Sequence, residues 1–220
     1  MKPIAVAALA VSLTYFFNLP VSAQAPPSLA SQATPSVSGT VQQYLLSPHG
    51  EVEGLLLSDG TCVRFPKHLG ATLTSLVMPG DPVDVLGFSG PATPQGRAVK
   101  ALTITNAKTG QVVIDQPPAT RPLPPEQRGL VRTPLTVSGI VTRFLVNPKG
   151  DVDGLVLSGG EQVKFAPHRG GLLVGVLGQQ PGSAVQASGL GTRNSFGTVV
   201  AADSLVVGGQ TIWLAGKRKK

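Results

Sequence analysis

The side chains with the type and spacing to do chemistry are few: His68 and His168, one hundred residues apart, the acid pairs Glu51/Glu53 and Asp151/Asp153, and the lone tryptophan, Trp213. A histidine can bind a metal, hold a ligand or carry a proton near neutral pH. A metal needs several converging ligands, and the neighbours Lys67 and Arg169 are cations that repel one. His68 and His168 are therefore read as ligand-binding candidates. The competing reading is an imidazole that caps the following segment or bonds a backbone carbonyl at a rim. Arg64 and Lys164, equivalent cations on the strand before each histidine, join them as ligand-binding candidates, as does Trp213.

Acids two residues apart on a strand project to the same side, so Glu51 with Glu53, and Asp151 with Asp153, form weak candidates for a hard-cation site. Asp151-Val152-Asp153-Gly154 has the start of a calcium loop, but such a loop needs an oxygen ligand two residues on and a bidentate Glu at its twelfth position. Leu155 and Gln162 stand in those places. The plainer reading is that these acids solvate a hairpin and discourage edge pairing. His49 would help a metal site in one copy only, because Lys149 replaces it in the other.

Catalytic signatures are incomplete. Gly87-Phe88-Ser89-Gly90 is one residue short of a nucleophile elbow and lies on a strand with no helix to follow. Gly189-Leu190-Gly191 has Asn194 where a dinucleotide fingerprint needs its third glycine. The expectation is a protein that is not an enzyme and carries no cofactor.

The elements that position these residues come as a duplication. Val37 to His68 recurs at Val137 to His168 without a gap, with 16 of 32 positions identical and swaps of like for like at Tyr44/Phe144, Glu51/Asp151, Glu53/Asp153 and Arg64/Lys164. In the first copy, Gly39 to Leu46 and Val52 to Leu57 read as strands joined by the turn Ser47-Pro48-His49-Gly50. Asp59-Gly60 supplies a tight turn into a third strand, Cys62 to Phe65, with Val63 and Phe65 inward and Cys62 and Arg64 outward. Cys62 faces Gln162 in the other copy, which suggests a solvent-facing thiol that is either incidental or available for an intermolecular disulfide. Leu69, Leu73, Leu76 and Val77 then share one helical face. Val83 to Phe88, Ala98 to Thr105 and Gln111 to Ile114 complete the unit.

The second copy predicts strands at Gly139 to Val146, Val152 to Leu157, Gln162 to Phe165, Ala184 to Leu190, Gly197 to Val207 and Thr211 to Leu214. Its linking segment contains Gly170, Gly171, Gly175 and Gly178, each costing about 1 kcal/mol against alanine in a helix interior. Leu172 to Leu177 is thus left open as a short helical turn or an apolar loop. Five strands with a helix between the third and fourth is the order of a small Greek-key barrel of OB type. The fold class expected is all-β, two tandem OB-like barrels of five to six strands with one short helix per repeat.

The motif Gly-x-Val-x-x-Phe-Leu-x-Asn-Pro-x-Gly-Asp-Val-Asp-Gly-Leu-Val-Leu, followed by Val-x-Phe and Pro-His, is carried by Gly139 to Leu157 and Val163 to His168, and more loosely by Gly39 to Leu57 and Val63 to His68. It resembles a group of uncharacterised exported bacterial proteins with tandem OB-fold-like domains. The resemblance implies a fold and an envelope address, and brings no activity or binding residues with it.

Residues 1–23 have the layout of a secretory signal, with Lys2, the apolar run Ile4 to Phe17 and small residues at Val21-Ser22-Ala23. The run falls short of the roughly 20 residues a membrane span needs, and no later segment replaces it. A flexible lead-in is expected at 24–36, the first domain at 37–115, a Pro-rich linker at 116–136, the second domain at 137–216 and a basic tail at 217–220. The prolines of the linker favour an extended spacer that holds the domains apart as much as it joins them.

Once Lys2 and the four cations of Lys217 to Lys220 are set aside from the net charge of +7, only +2 is left for the body. The basic surplus is thus a tail, suited to contact with anionic surfaces. Stacking aromatics, which single-stranded nucleic acids need, are scarce. Tyr44/Phe144 and Phe65/Phe165 read as core, while Trp213 and Phe196 read either as a binding surface or as core closure. The leading functional expectation is an exported, periplasmic or secreted binding or adaptor protein with an unknown envelope ligand or protein partner. One alternative is a nucleic-acid or oligosaccharide binder using the face of the second and third strands, and another is a small metal-dependent protein using the repeated histidines.

Overall fold

The computed structural model describes residues 37–128 and 130–214, so the expected signal, lead-in and basic tail lie outside the described residues. Among the described residues, twelve strands form two six-stranded sheets, each curled into a barrel. In the first, β1 (Val37–Leu46) pairs antiparallel with β2 (Val52–Leu57) and β4 (Pro82–Ser89). β2 pairs with β3 (Cys62–Arg64), and β4 pairs with β5 (Ala98–Asn106). The barrel closes by a parallel pairing of β3 with β5, Cys62 opposite Ala98 and Arg64 opposite Lys100. β6 (Val112–Ile114) extends the sheet beyond β5.

The second barrel repeats this closure with β7 (Thr133–Val146), β8 (Val152–Leu157), β9 (Gln162–Lys164), β10 (Ala184–Asn194) and β11 (Gly197–Val207), and adds β12 (Gln210–Trp213). The parallel β9–β11 pairing places Gln162 opposite Val199. The expected element order, three strands, a short helix and further strands closing a barrel in each repeat, is therefore the observed one. Alternation explains each interior: Val63 and Leu55 fill the first core, Val163 and Leu155 the second.

A single helix follows the third strand of each barrel, α1 (Gly70–Leu76) and α2 (Gly170–Leu177). Leu73 and Val77 seat α1 in the core, with Leu69 and Leu76 packed beside them. The linking segment of the second copy, left open above, is a helix: burial of Leu173, Val174 and Leu177 outweighs its glycine content. Gly170 is required where it stands, since a Cβ would run into the Val152 carbonyl oxygen of β8; Gly70 meets Val52 in the same way. Gly171 and Gly175 meet nothing.

Four expectations change. The barrels are not held apart: the described residues fall in one compact unit, and a third apolar cluster of Leu45, Leu56, Cys62, Ala98, Leu145 and Val156 draws on both barrels. Cys62 does point away from its own barrel, but it is fully buried beneath the other one. The linker also ends early, because β7 begins at Thr133 and its first residues pair with β10, Thr133 opposite Gly191 and Thr136 opposite Ser188. β10 in turn runs to Asn194, four residues past its expected end, in a long hairpin with β11.

Candidate functional site

The face formed by the second and third strands of each barrel is pressed against the same face of the other. Contacts across this seam are reciprocal. Arg64 Nη2 donates to Asp153 Oδ1 at 2.7 Å, while its Nη1 reaches Glu53 Oε1 at 2.9 Å; Lys164 Nζ, the repeat equivalent of Arg64, reaches the same Glu53 oxygen at 2.9 Å. Two cations and two acids form a neutral, mostly buried quartet, with Lys164 side-chain exposure of only 9%. Burial by itself would raise the Glu53 carboxyl; the Lys164 and Arg64 charges outweigh it and hold the group below its ordinary 4.5.

Beside the quartet, the Gln162 amide completes two backbone hydrogen bonds of the first barrel, accepting from Leu46 N at 3.0 Å and donating to Tyr44 O at 2.6 Å. Cys62 stands at the equivalent place opposite Val146. Burial raises its thiol, an effect only partly offset by the Arg64 charge and a hydrogen bond from the Val146 backbone. The loops continue the exchange. Thr192 and Asn194 of the β10–β11 hairpin donate to Pro48 O and Gly50 O in the β1–β2 turn, and Phe196 meets Tyr44 edge-on at 5.6 Å. In the other direction the β4–β5 loop lies on the β7–β8 turn, where Gly90 abuts Pro148 and Pro91 abuts Gly150.

Arg64, Lys164, Glu53 and Asp153 are thus brought together, as partners of one another. The two acids of each copy part company: Glu51 sits near Lys67, 3.7 Å away, and Asp151 bonds Asn147. No grouping of three or more His, Cys, Asp or Glu suited to a metal occurs among the described residues. His68 and His168 lie exposed on equivalent 3-10 turns, and the His68 Nε2 lies 2.8 Å from Gln116 O, the rim-carbonyl arrangement, here tying the start of the linker to the first barrel. Trp213 is on β12 opposite Ser204, 71% exposed, so core closure falls to the buried Leu214 beside it.

The reciprocal packing leaves clefts, four of which come in pairs, while a fifth of about 290 Å³ opens onto Glu53, Arg64 and Asp153 of the quartet. Two flank the seam, one of about 380 Å³ with Asp59, Thr61, Arg97 and Arg143, the other of about 260 Å³ with Gln43, Glu161, Phe196 and Thr198. Two more lie between the β1–β2 or β7–β8 turn and the helix; the larger, about 510 Å³, contains Lys67, His68, Leu130 and Phe196. In the first seam cleft Arg97 pairs with Asp59, whose carboxyl is lowered despite burial by hydrogen bonds from Thr61 and Arg97. Arg143 crosses to donate to Ser58 O at 2.8 Å.

Sequence reasoning passed over Gln43, Arg143, Glu161 and Gln162. The signal was present: Gln43 faces Arg143, Thr61 faces Glu161 and Cys62 faces Gln162 in the repeat, changes of charge or polarity inside an otherwise like-for-like alignment. No family model matches the chain, and neither the curated proteins nor the solved structures give a match.

Proposed function

We propose that this protein is an exported, non-enzymatic binding or adaptor module of the bacterial envelope that presents two OB-type barrels as one fixed body. The observation that carries the reading is the mutual burial of the two β2–β3 faces. In the OB-fold at large that face, with the adjoining loops, receives oligonucleotides and oligosaccharides. Here it is filled by the partner barrel, its charges are neutralised within the quartet, and both pairs of loops are spent on the opposite turns. Recognition is then left to the seam clefts and the outer surfaces, and the fold supplies their rigid spacing.

The same burial weighs against a nucleic-acid reader on the β2–β3 face, and the distribution of His68 and His168 weighs against a shared histidine metal centre. The test is a thermal-shift screen of the mature protein against oligonucleotides, glycans and divalent ions, beside turnover assays with generic ester, glycoside and phosphodiester substrates. A ligand that binds only the folded state raises the midpoint. The proposal expects a shift from a non-nucleic-acid ligand and no turnover. Turnover abolished by His68→Ala, or an oligonucleotide shift that survives deletion of Lys217 to Lys220, would overturn it.

A further inference from the structure

The smaller seam cleft carries two unmet hydrogen-bonding demands. Gln43 Nε2 and Glu161 Oε2 are buried atoms without a hydrogen-bond partner, and both residues line the same cleft of about 260 Å³. Such atoms are rare in folded proteins, and a hydroxyl-bearing ligand or ordered water in the cleft would satisfy them. One of them needs an acceptor and the other a donor. Glu161 has no ion-pair partner among the described residues, and its carboxylate lies folded over Gly159. The remaining amide of the cleft, on Gln162, is already spent on the first barrel.

The apolar side of the cleft is Phe196, 41% exposed, its ring held perpendicular to that of Tyr44 at 5.6 Å. The repeat shows that none of this is needed to build the barrel. At the equivalent seam cleft, Arg143 replaces Gln43, Thr61 replaces Glu161 and Arg97 replaces Thr198, and the fold there is the same.

We infer that the Gln43/Glu161/Phe196 cleft is a carbohydrate subsite that takes a neutral sugar ring. Adjacent hydroxyls are both donors and acceptors, so one ring answers the amide N–H and the carboxylate oxygen together, while its C–H face lies on Phe196. An ammonium would satisfy Glu161 and leave Gln43 unmet. A carboxylate would satisfy Gln43 and be repelled by Glu161. The inference rests on the reading of the protein as a binding module and names its ligand class.

The experiment is a titration of the ¹⁵N-labelled mature protein with D-glucose, D-glucosamine and D-glucuronate, following the Gln43 side-chain amide resonance. Glucose should shift that resonance and the Phe196 backbone amide, with glucuronate at least about tenfold weaker, as expected for one unfavourable charge. Glu161→Thr, which copies Thr61 of the other barrel, and Gln43→Ala should each weaken glucose binding about tenfold or more, with the unliganded thermal midpoint confirming that each variant folds. The inference is overturned if glucose at tens of millimolar leaves the Gln43 amide unmoved, the cleft then holding water alone. It is overturned equally if Glu161→Thr binds as the parent does, or if glucosamine binds and glucose does not. Silence toward glucose, with a glycan of another class still raising the thermal midpoint, would remove the subsite and leave the binding-module reading standing.

Discussion

At the residue scale, the seam depends on side chains whose partners lie in the other barrel. Glu53 shows how this couples to pH. Its carboxyl is held low in the fold, so on acidification the unfolded chain takes up the proton first and unfolding is favoured. Its contribution is complete above the ordinary value of 4.5 and is lost as pH falls through the lower folded value. Thermal midpoints measured from pH 6 down to pH 3 should therefore decline, with a shallower slope in Glu53→Gln. Gln162→Ala would strand a buried Leu46 N–H and Tyr44 C=O, at about 1–3 kcal/mol for each group, readable in urea unfolding. Cys62 should resist alkylation by a maleimide in native buffer and react at once in denaturant, because its thiol is fully buried and burial raises it. The sequence comparison of Cys62 with Gln162 gave the right direction, away from the barrel core. It could not reveal that a second protein surface, rather than water, lies there.

Strands and helices were legible wherever local pattern and burial agree. β2 and β8 have the residue bounds read from the sequence, because turn chemistry at Pro48-His49-Gly50 and Asp59-Gly60, and its counterpart in the repeat, delimits them. The β7 and β10 strands exceeded expectation because their extra residues are held by pairing with one another and with β11, and by the first barrel, which no window of sequence contains. Strand β11 has the bounds read from the sequence. One element-scale clue to the seam was available. Leu55-Leu56-Leu57 is apolar on both faces of a strand, and a strand covered on one side only should alternate. Leu55 and Leu57 serve the core, and Leu56 serves the seam. Helix α2 offers a contrast between two glycines. Gly175→Ala should stabilise by about 0.5–1 kcal/mol through helix propensity, whereas Gly170→Ala should destabilise by about 1–3 kcal/mol through overpacking against β8. Paired denaturation curves of the two variants give the opposite signs directly.

For the whole molecule, the duplication behaves as a dimer written in one chain. Its contacts are those of a two-fold interface, in which each surface meets its own copy, and the copies differ within it at Arg64/Lys164, Cys62/Gln162 and the seam clefts. That drift makes the two flanks of the seam chemically unlike, one with Arg97 and Arg143, the other with Gln43 and Glu161. The proline-rich linker does not separate the barrels; its start is fastened by His68 and its end is absorbed into β7. The central claim is that the β2–β3 faces of the two barrels bind each other. The most direct measurement introduces a specific protease site among the exposed residues Ala119 to Leu123, cleaves it, and follows the product by size-exclusion chromatography and calorimetry. The account predicts that the two halves co-elute as one body and melt in a single transition. Halves that elute separately, or that melt as two independent transitions, would contradict it.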